Sequence, residues 1–188
     1  MTISNWLKYV LIALLLTATV VVKGAIVEDL SQGSYVLMMR HADAPGYSDP
    51  PGFDLNNCKT QRNLGATGIT QAKQIGEWLA QQGINSAQVY SSPWCRCKDT
   101  AQLLNVGPVQ VEMSLGSFFE NPADAKAQTH ALQNKIRALI QLQPRKPIVL
   151  VTHQVNIQAF TGQSLGSGGM VLVQVSKEGK YLSHRAIR

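Results

Sequence analysis

Three short, strand-like apolar runs each stop at residues that carry a charge or a hydroxyl. They are Val36-Leu37-Met38-Met39 before Arg40-His41-Ala42, Val89-Tyr90 before Ser91-Ser92-Pro93, and Ile148-Val149-Leu150-Val151 before Thr152-His153. An unbroken apolar run held between Pro147 and His153 is what a strand buried on both faces requires. Such strands occur in sheets covered by helices on both sides, which restricts the chain to layered α/β folds. In those sheets ligands gather at the carboxyl ends of the strands, where Arg40, His41 and His153 fall.

The rest of the pattern alternates in the same way. Residues 35–39 read as the first strand. The Gly/Pro/Asn-rich stretch 44–57 reads as a loop, placed directly after His41 to act as a substrate lid. Thr67 is positioned to cap a helix in which Ala72, Ile75, Gly76 and Leu79 share a buried face, ended by Gly83. Gln88–Ser91 is the second strand, and Pro93 leads into a helix over Cys95–Leu104 with Arg96 in its first turn. Residues 109–112 suit a short strand. The spacing of Ala131, Leu132, Ile136, Leu139 and Ile140 predicts a helix over 123–142, stopped by Pro144. Ile148–Thr152, a helix over 155–160, a Gly-rich loop over 162–169, and the pair Met170–Val175 and Tyr181–Ala186 complete the chain. The expected fold is α/β, a three-layer sandwich with a mostly parallel central sheet flanked by helices.

The 188 residues suffice for one domain with a real core, and neither a repeat nor a second domain is visible. Residues 1–24 stand apart from it. Lys8 precedes an apolar stretch, Tyr9 to Val22, that is short for a membrane span, with small residues before the bond between Gly24 and Ala25. This segment reads as a secretory signal peptide or an uncleaved N-terminal anchor. Either reading puts the domain, residues 25–188, outside the cytoplasm, in the periplasm or an equivalent compartment. Removing Lys8 and Lys23 lowers the net charge from +6 to +4, a modest excess suited to an anionic substrate. There is no Lys/Arg run and aromatics are 6 %, which argues against a nucleic-acid platform. Cys58, Cys95 and Cys97 lie in the exported part, where disulfides persist. Cys95 and Cys97 are too close in sequence to pair, so Cys58 is expected to bond one of them. A metal site is the weaker alternative, for want of a second pair at ligand spacing.

The strand-end residues suit one chemistry. Guanidinium groups match phosphate bidentately and stay charged, so Arg40 and Arg96 are fitted to hold a phosphoryl group. Arg96, near a helix N-terminus, brings free backbone N–H groups to the same anion. A neutral imidazole between them is a nucleophile, and His153 is placed to donate to a non-bridging oxygen. Arginines supplying the charge leave no need for a metal. Each residue also has a plainer reading: Arg96 in an i, i+3 pair with Asp99, and His153 as a strand end or helix cap.

Together the motifs resemble the histidine phosphatase superfamily, in the branch related to phosphoglycerate mutase. The matching elements are Arg40-His41-Ala42 after a strand, Gln61-Arg62-Asn63-Leu64-x-x-x-Gly68, Thr70-Gln71-Ala72, Ser91-Ser92-Pro93-x-x-Arg96-x-x-x-Thr100-Ala101, and Val151-Thr152-His153, spread over residues 34–175. The resemblance implies His41 as the phosphorylated nucleophile, with Arg40, Arg96 and His153 forming the phosphate pocket. The family usually has Gly where Ala42 stands. Gln154 stands where the phytase-like branch has an Asp proton donor. In the mutase-like branch the donor is a Glu between the second and third motifs, where Glu112 and Glu120 both fall; Glu120, in a loop-like stretch after Ser117-Phe118-Phe119, is favoured over Glu112 at a strand end, and Asp43 is a third candidate. Arg62 is expected at the pocket rim, Trp94 in the core, and His130 and His184 in structural positions. The expected activity is hydrolysis of small phosphomonoesters through a phosphohistidine, without cofactor, metal or nucleic acid, and with membrane contact only if residues 1–24 stay attached. The alternative is a non-catalytic phosphate- or phosphosugar-binding envelope domain.

Overall fold

The structure, a computed structural model, describes residues 25–142 and 145–187. The N-terminal apolar segment and Pro144, the expected helix stop, lie outside the described residues. Six strands form one sheet: β1 (Tyr35–Arg40), β2 (Gln88–Ser91), β3 (Val109–Val111), β4 (Ile148–Thr152), β5 (Met170–Val175) and β6 (Tyr181–Ala186). Their order is β3-β2-β4-β1-β5-β6. The first four are mutually parallel, and the closing pair β5 and β6 runs antiparallel.

Helices α1 (Ala25–Ser31), α2 (Ala66–Gln81), α3 (Cys95–Leu104), α4 (Ala125–Leu139) and α5 (Gln154–Thr161) cover the sheet. Because successive strand residues point to opposite faces, β1 divides its apolar side chains between two cores. Leu37 and Met39 pack with Leu30, Ile75, Leu79, Ala101 and Leu104 from α1, α2 and α3. Val36 and Met38 pack with Leu132, Ile136, Leu139, Ile157 and Phe160 from α4 and α5. All five residues of β4 are buried, as its continuous apolar run requires. The result is the expected three-layer sandwich.

Three local expectations need correction. Helix α2 starts one residue before Thr67, and its N-cap is Gly65, with no side-chain cap bond. A Cβ at Gly65 would lie 2.9 Å from the Pro45 ring, so packing of the preceding loop leaves no room there for a capping side chain. Ala131 is exposed, because the buried stripe of α4 narrows to Leu132, Ile136 and Leu139. Helix α1 was not foreseen from the pattern; it forms because Leu30 is buried while Ile26 and Val27 pack against the same core.

Gly68 carries a stricter constraint. A Cβ there would sit 1.9 Å from the backbone oxygen of Asp43, so only glycine lets α2 dock onto the segment following His41. A disulfide between Cys58 and Cys95 then ties the end of the 44–57 loop to the first residue of α3, while Cys97 is a free thiol buried in the core. The linked residues are 37 apart, and in the chain-entropy model closing such a loop stabilises the fold by about 4 kcal/mol. The double variant Cys58→Ala/Cys95→Ala should therefore lose about 3–4 kcal/mol in urea denaturation. A loss below about 1 kcal/mol would show that the bridge adds little to folding.

Candidate active site

Strand register brings the site together. Arg40 pairs with Thr152 across β1 and β4, and Ser91 pairs with Val151 across β2 and β4. The ladder continues one step beyond the strands: His41 N–H donates to Thr152 O at 3.0 Å, and Ser92 N–H donates to Val151 O at 2.9 Å. His41, Ser92 and His153 therefore leave three adjacent strands at one level. The two imidazoles are 2 % and 4 % exposed, with ring centroids 5.5 Å apart in an edge-on arrangement.

Hydrogen bonds orient both rings and fix the tautomer of His41. His41 Nδ1 lies 2.8 Å from the carbonyl oxygen of Ala42, an acceptor only, so Nδ1 carries the proton and Nε2 keeps its lone pair. Ala42 is itself held, its N–H donating to Thr100 Oγ1 at 3.0 Å while the Thr100 hydroxyl donates to Arg96 O at 2.7 Å. His153 Nε2 lies 2.7 Å from Ser92 Oγ, which also accepts the Trp94 N–H at 3.4 Å. With the Ser92 hydroxyl donating to Nε2, Nδ1 of His153 carries an N–H donor. Burial, and then the surrounding arginines, push His41 down to about 3. Burial and the neighbouring His41, followed by the arginines, push His153 well down in the same direction. Both rings are neutral at physiological pH. Cys97 Sγ lies 3.5 Å from His153 Nε2, and burial pushes its thiol up to about 12, so it stays protonated and unreactive.

Arg40, Arg62 and Arg96 line one cavity of about 410 Å³ with His41 and His153. Arg40 Nη1 donates to Leu165 O at 2.9 Å, and Arg62 Nη1 to the carbonyls of Ala44 and Gly46. Arg96 is engaged end-on by Asp49, Nη1 to Oδ1 at 2.8 Å and Nη2 to Oδ2 at 3.1 Å, with both side chains 5 % exposed. The Nε of all three arginines is buried without a protein partner. Three guanidinium groups lining one space describe an anion site. Desolvation, then repulsion from Arg96, pulls both Arg40 and Arg62 below the usual arginine value.

Asp49 escaped the sequence reading, where an Asp before Pro50 looks like turn chemistry. Its carboxylate accepts from four donors: both Arg96 Nη atoms, the Arg62 backbone N–H at 2.9 Å, and Trp94 Nε1 at 3.1 Å. Those bonds outweigh its desolvation and hold it below the usual carboxylate range. The alternative Arg96–Asp99 pair is thereby replaced. The expected anion donors at the start of α3 are partly spent as well: Cys95 N–H donates to Gln61 Oε1 at 2.9 Å, and Cys97 N–H to Trp94 O at 3.0 Å.

The remaining candidates separate clearly. Glu120 is exposed and lines the same cavity. Glu112 lies elsewhere, accepting from Ser114 N–H at 3.0 Å and pairing with Lys135 at 2.8 Å. Asp43 serves through its backbone, its N–H donating to Gln71 Oε1 and its carbonyl accepting from Gly65. Trp94, expected in the core, is half-buried and walls the cavity, its ring edge-on to His153 at 5.1 Å. His130 and His184 sit away from the site, beside Asn134 and the Tyr181 hydroxyl. Of the 44–57 loop, Gly46, Tyr47, Ser48, Asp49 and Phe53 face the cavity.

Fold and pocket define an α/β sandwich with an arginine-lined cavity at its strand ends. The family model for the histidine phosphatase superfamily (branch 1) matches residues 36–118, which include Arg40, His41, Arg62 and Arg96. No curated protein sequence matches the chain. Among solved structures the fold is similar to mycobacterial hydrolase 1, with a TM-score of 0.59 at 17 % identity over 82 % of this chain and 97 % of that one. It is also similar to mycobacterial glucosyl-3-phosphoglycerate phosphatase (0.55, 16 %, covering 81 % and 96 %) and to the protein histidine phosphatase SixA in complex with tungstate (0.52, 17 %, covering 81 % and 96 %). Residues 36–118 thus match the histidine phosphatase superfamily model, and the fold is similar to that of these solved phosphatases and hydrolase.

Two measurements test this electrostatic description. Asp49→Ala leaves a buried guanidinium unpaired and should cost about 3 kcal/mol in urea denaturation. Added inorganic phosphate should then stabilise the variant more than the wild type, and equal stabilisation would contradict the shared pocket. Unfolded His41 takes up a proton near its ordinary value of 6.5, while the folded residue resists until about 3. Between those values the unfolded chain holds more protons, so stability falls with falling pH, by up to about 1.4 kcal/mol per unit from this residue. His41→Ala should flatten the slope of stability against pH by that amount, and an unchanged slope would mean that His41 is charged in the folded state.

Proposed function

We propose that the chain is an exported phosphatase that hydrolyses small phosphomonoesters through a phosphohistidine on His41, without a metal or other cofactor. The carrying observation is the bond from His41 Nδ1–H to the Ala42 carbonyl, which leaves the Nε2 lone pair in a pocket of three arginines. A neutral, oriented imidazole beside unspent guanidinium donors supports nucleophilic attack on a bound phosphoryl group. Arg40, Arg62 and Arg96 supply the positive charge that this reading requires. The apolar segment 1–24 supports export to a periplasmic or similar compartment, with membrane contact only if that segment is retained.

In this mechanism Arg40, Arg96 and Arg62 take the non-bridging oxygens, and His153 Nδ1–H donates to one of them. His41 Nε2 attacks phosphorus as the ester P–O bond breaks, and protonated Glu120 gives its proton to the departing alkoxide. Water then attacks the phosphohistidine, its proton passing to the Glu120 carboxylate, the P–N bond breaks, and inorganic phosphate leaves. Glu120 supports this role by position, exposed on the wall of the same cavity. The guanidinium groups meet the negative charge throughout.

The test is hydrolysis of p-nitrophenyl phosphate in EDTA by the wild type, His41→Ala and Glu120→Gln. The wild type should turn over, and His41→Ala should lose about a thousandfold or more in kcat. Glu120→Gln should slow alkyl phosphates far more than p-nitrophenyl phosphate, whose leaving group needs little protonation. Phosphate binding without any release would instead make the chain a binding domain. Equal loss on both substrates would remove Glu120 from the acid role.

A further inference from the structure

Charge and aromatic character are distributed unevenly along the cavity. Among the described residues lining it, Arg40, Arg62 and Arg96 are the only cations, and Arg96 is 4 % exposed. Glu120 and Asp124, also in the lining, are exposed carboxylates. Positive charge therefore lies at the base and negative charge at the mouth. The Asp124 carboxylate accepts one bond, from Asn121 Nδ2 at 2.8 Å, and caps no helix. It is free to act on whatever passes it.

Three of the chain's four phenylalanines, Phe53, Phe118 and Phe119, line this cavity with Tyr47 and Trp94. They form cross-loop pairs. Tyr47 meets Phe119 edge-on at 5.2 Å, and Phe53 lies 6.0 Å from Trp94. Tyr47 is 82 % exposed and Phe119 39 %, although a folding core would have gained by burying either ring. Large apolar rings left in water beside a buried anion site mark a ligand surface, not a core. Their flat faces suit a ring on the ester oxygen, and among the described lining residues no cation beyond the three arginines is present to pair with a second anion.

We propose that the preferred substrate is the monophosphate of an uncharged, ring-bearing alcohol, and that a second negative charge on the leaving group is rejected. This rests on the phosphatase reading of the same site. The phosphoryl group occupies the arginine end, the ring lies against the aromatic mouth, and Glu120 and Asp124 repel an additional phosphate or carboxylate. A saccharide and an aryl-methyl alcohol share that chemistry, and separate arms of the test distinguish them.

The experiment compares cleavage of primary alkyl phosphate bonds, followed in the bisphosphate by release of glucose 1-phosphate, so that the bond broken is alike in each comparison. Values of kcat/KM are measured for glucose 6-phosphate, benzyl phosphate, glycerol 3-phosphate and glucose 1,6-bisphosphate, with p-nitrophenyl phosphate as the control for turnover. One of the two ring substrates should exceed glycerol 3-phosphate by about tenfold, the size expected of aromatic contacts. Whichever of glucose 6-phosphate and benzyl phosphate leads assigns the ring as saccharide or aryl. The bisphosphate should fall about tenfold below glucose 6-phosphate, as two carboxylates acting across water allow. In Tyr47→Ala and Phe119→Ala the ring-to-glycerol ratio should collapse toward one, and in Asp124→Lys the bisphosphate should recover about fivefold relative to glucose 6-phosphate. Equal kcat/KM for ring and glycerol esters in an enzyme that turns over p-nitrophenyl phosphate would overturn the proposal and leave the phosphatase reading standing. Failure to hydrolyse any ester, p-nitrophenyl phosphate included, would overturn both.

Discussion

Three guanidinium groups crowded around one buried space cannot be left uncompensated, and the rest of the site follows from how that charge is met. Asp49 answers part of it, taking the end of Arg96 with both oxygens. Backbone carbonyls of Ala44, Gly46 and Leu165 answer another part. The Nε edges remain buried without a protein partner. Two imidazoles within this positive field are held neutral, because a proton on either would add like charge to a desolvated cluster. Neutrality is the condition for nucleophilicity, so the field that gathers a phosphoryl group also prepares the atom that would attack it.

The fold supplies the positions through ordinary sheet geometry. Parallel register between β1, β2 and β4 delivers His41, Ser92 and His153 to neighbouring strand ends, and apolar side chains on both faces keep that register from slipping. A second layer then aims the side chains. Thr100 holds the backbone after His41, Ser92 holds His153, and Gln61 caps α3 from outside while the Cys58–Cys95 bridge anchors its first residue. Removing the Cβ at Gly68 lets α2 press against Asp43. Each of these contacts fixes something within a residue or two of the pocket.

Much of this was legible in the sequence because strand ends are marked by abrupt change. The limits of β2, β4, β5, β6 and α3 follow from where apolar runs and helical spacing stop. The pairing of Cys58 with one of two nearby thiols follows from spacing, though the choice of Cys95 over Cys97 depends on which faces the loop and which the core. Asp49 could not be read, because its partner lies 47 residues away and only the folded loop brings them together. Gln61 as a cap for α3 and Pro45 displacing a cap from α2 are likewise long-range packing effects that local propensity does not contain. Trp94 was misplaced for a related reason: a half-buried ring with its indole N–H on Asp49 looks, in sequence, like any core tryptophan.

The claim at the centre is that His41 rests neutral, with its proton on Nδ1 and an open Nε2. A long-range proton–nitrogen correlation spectrum of ¹⁵N-histidine-labelled protein reads both ring nitrogens directly. At about pH 5, where an ordinary histidine is charged, His41 should show a protonated Nδ1 and an unprotonated, pyridine-like Nε2. An imidazolium signal for His41, or a neutral ring with the proton on Nε2, would contradict the account.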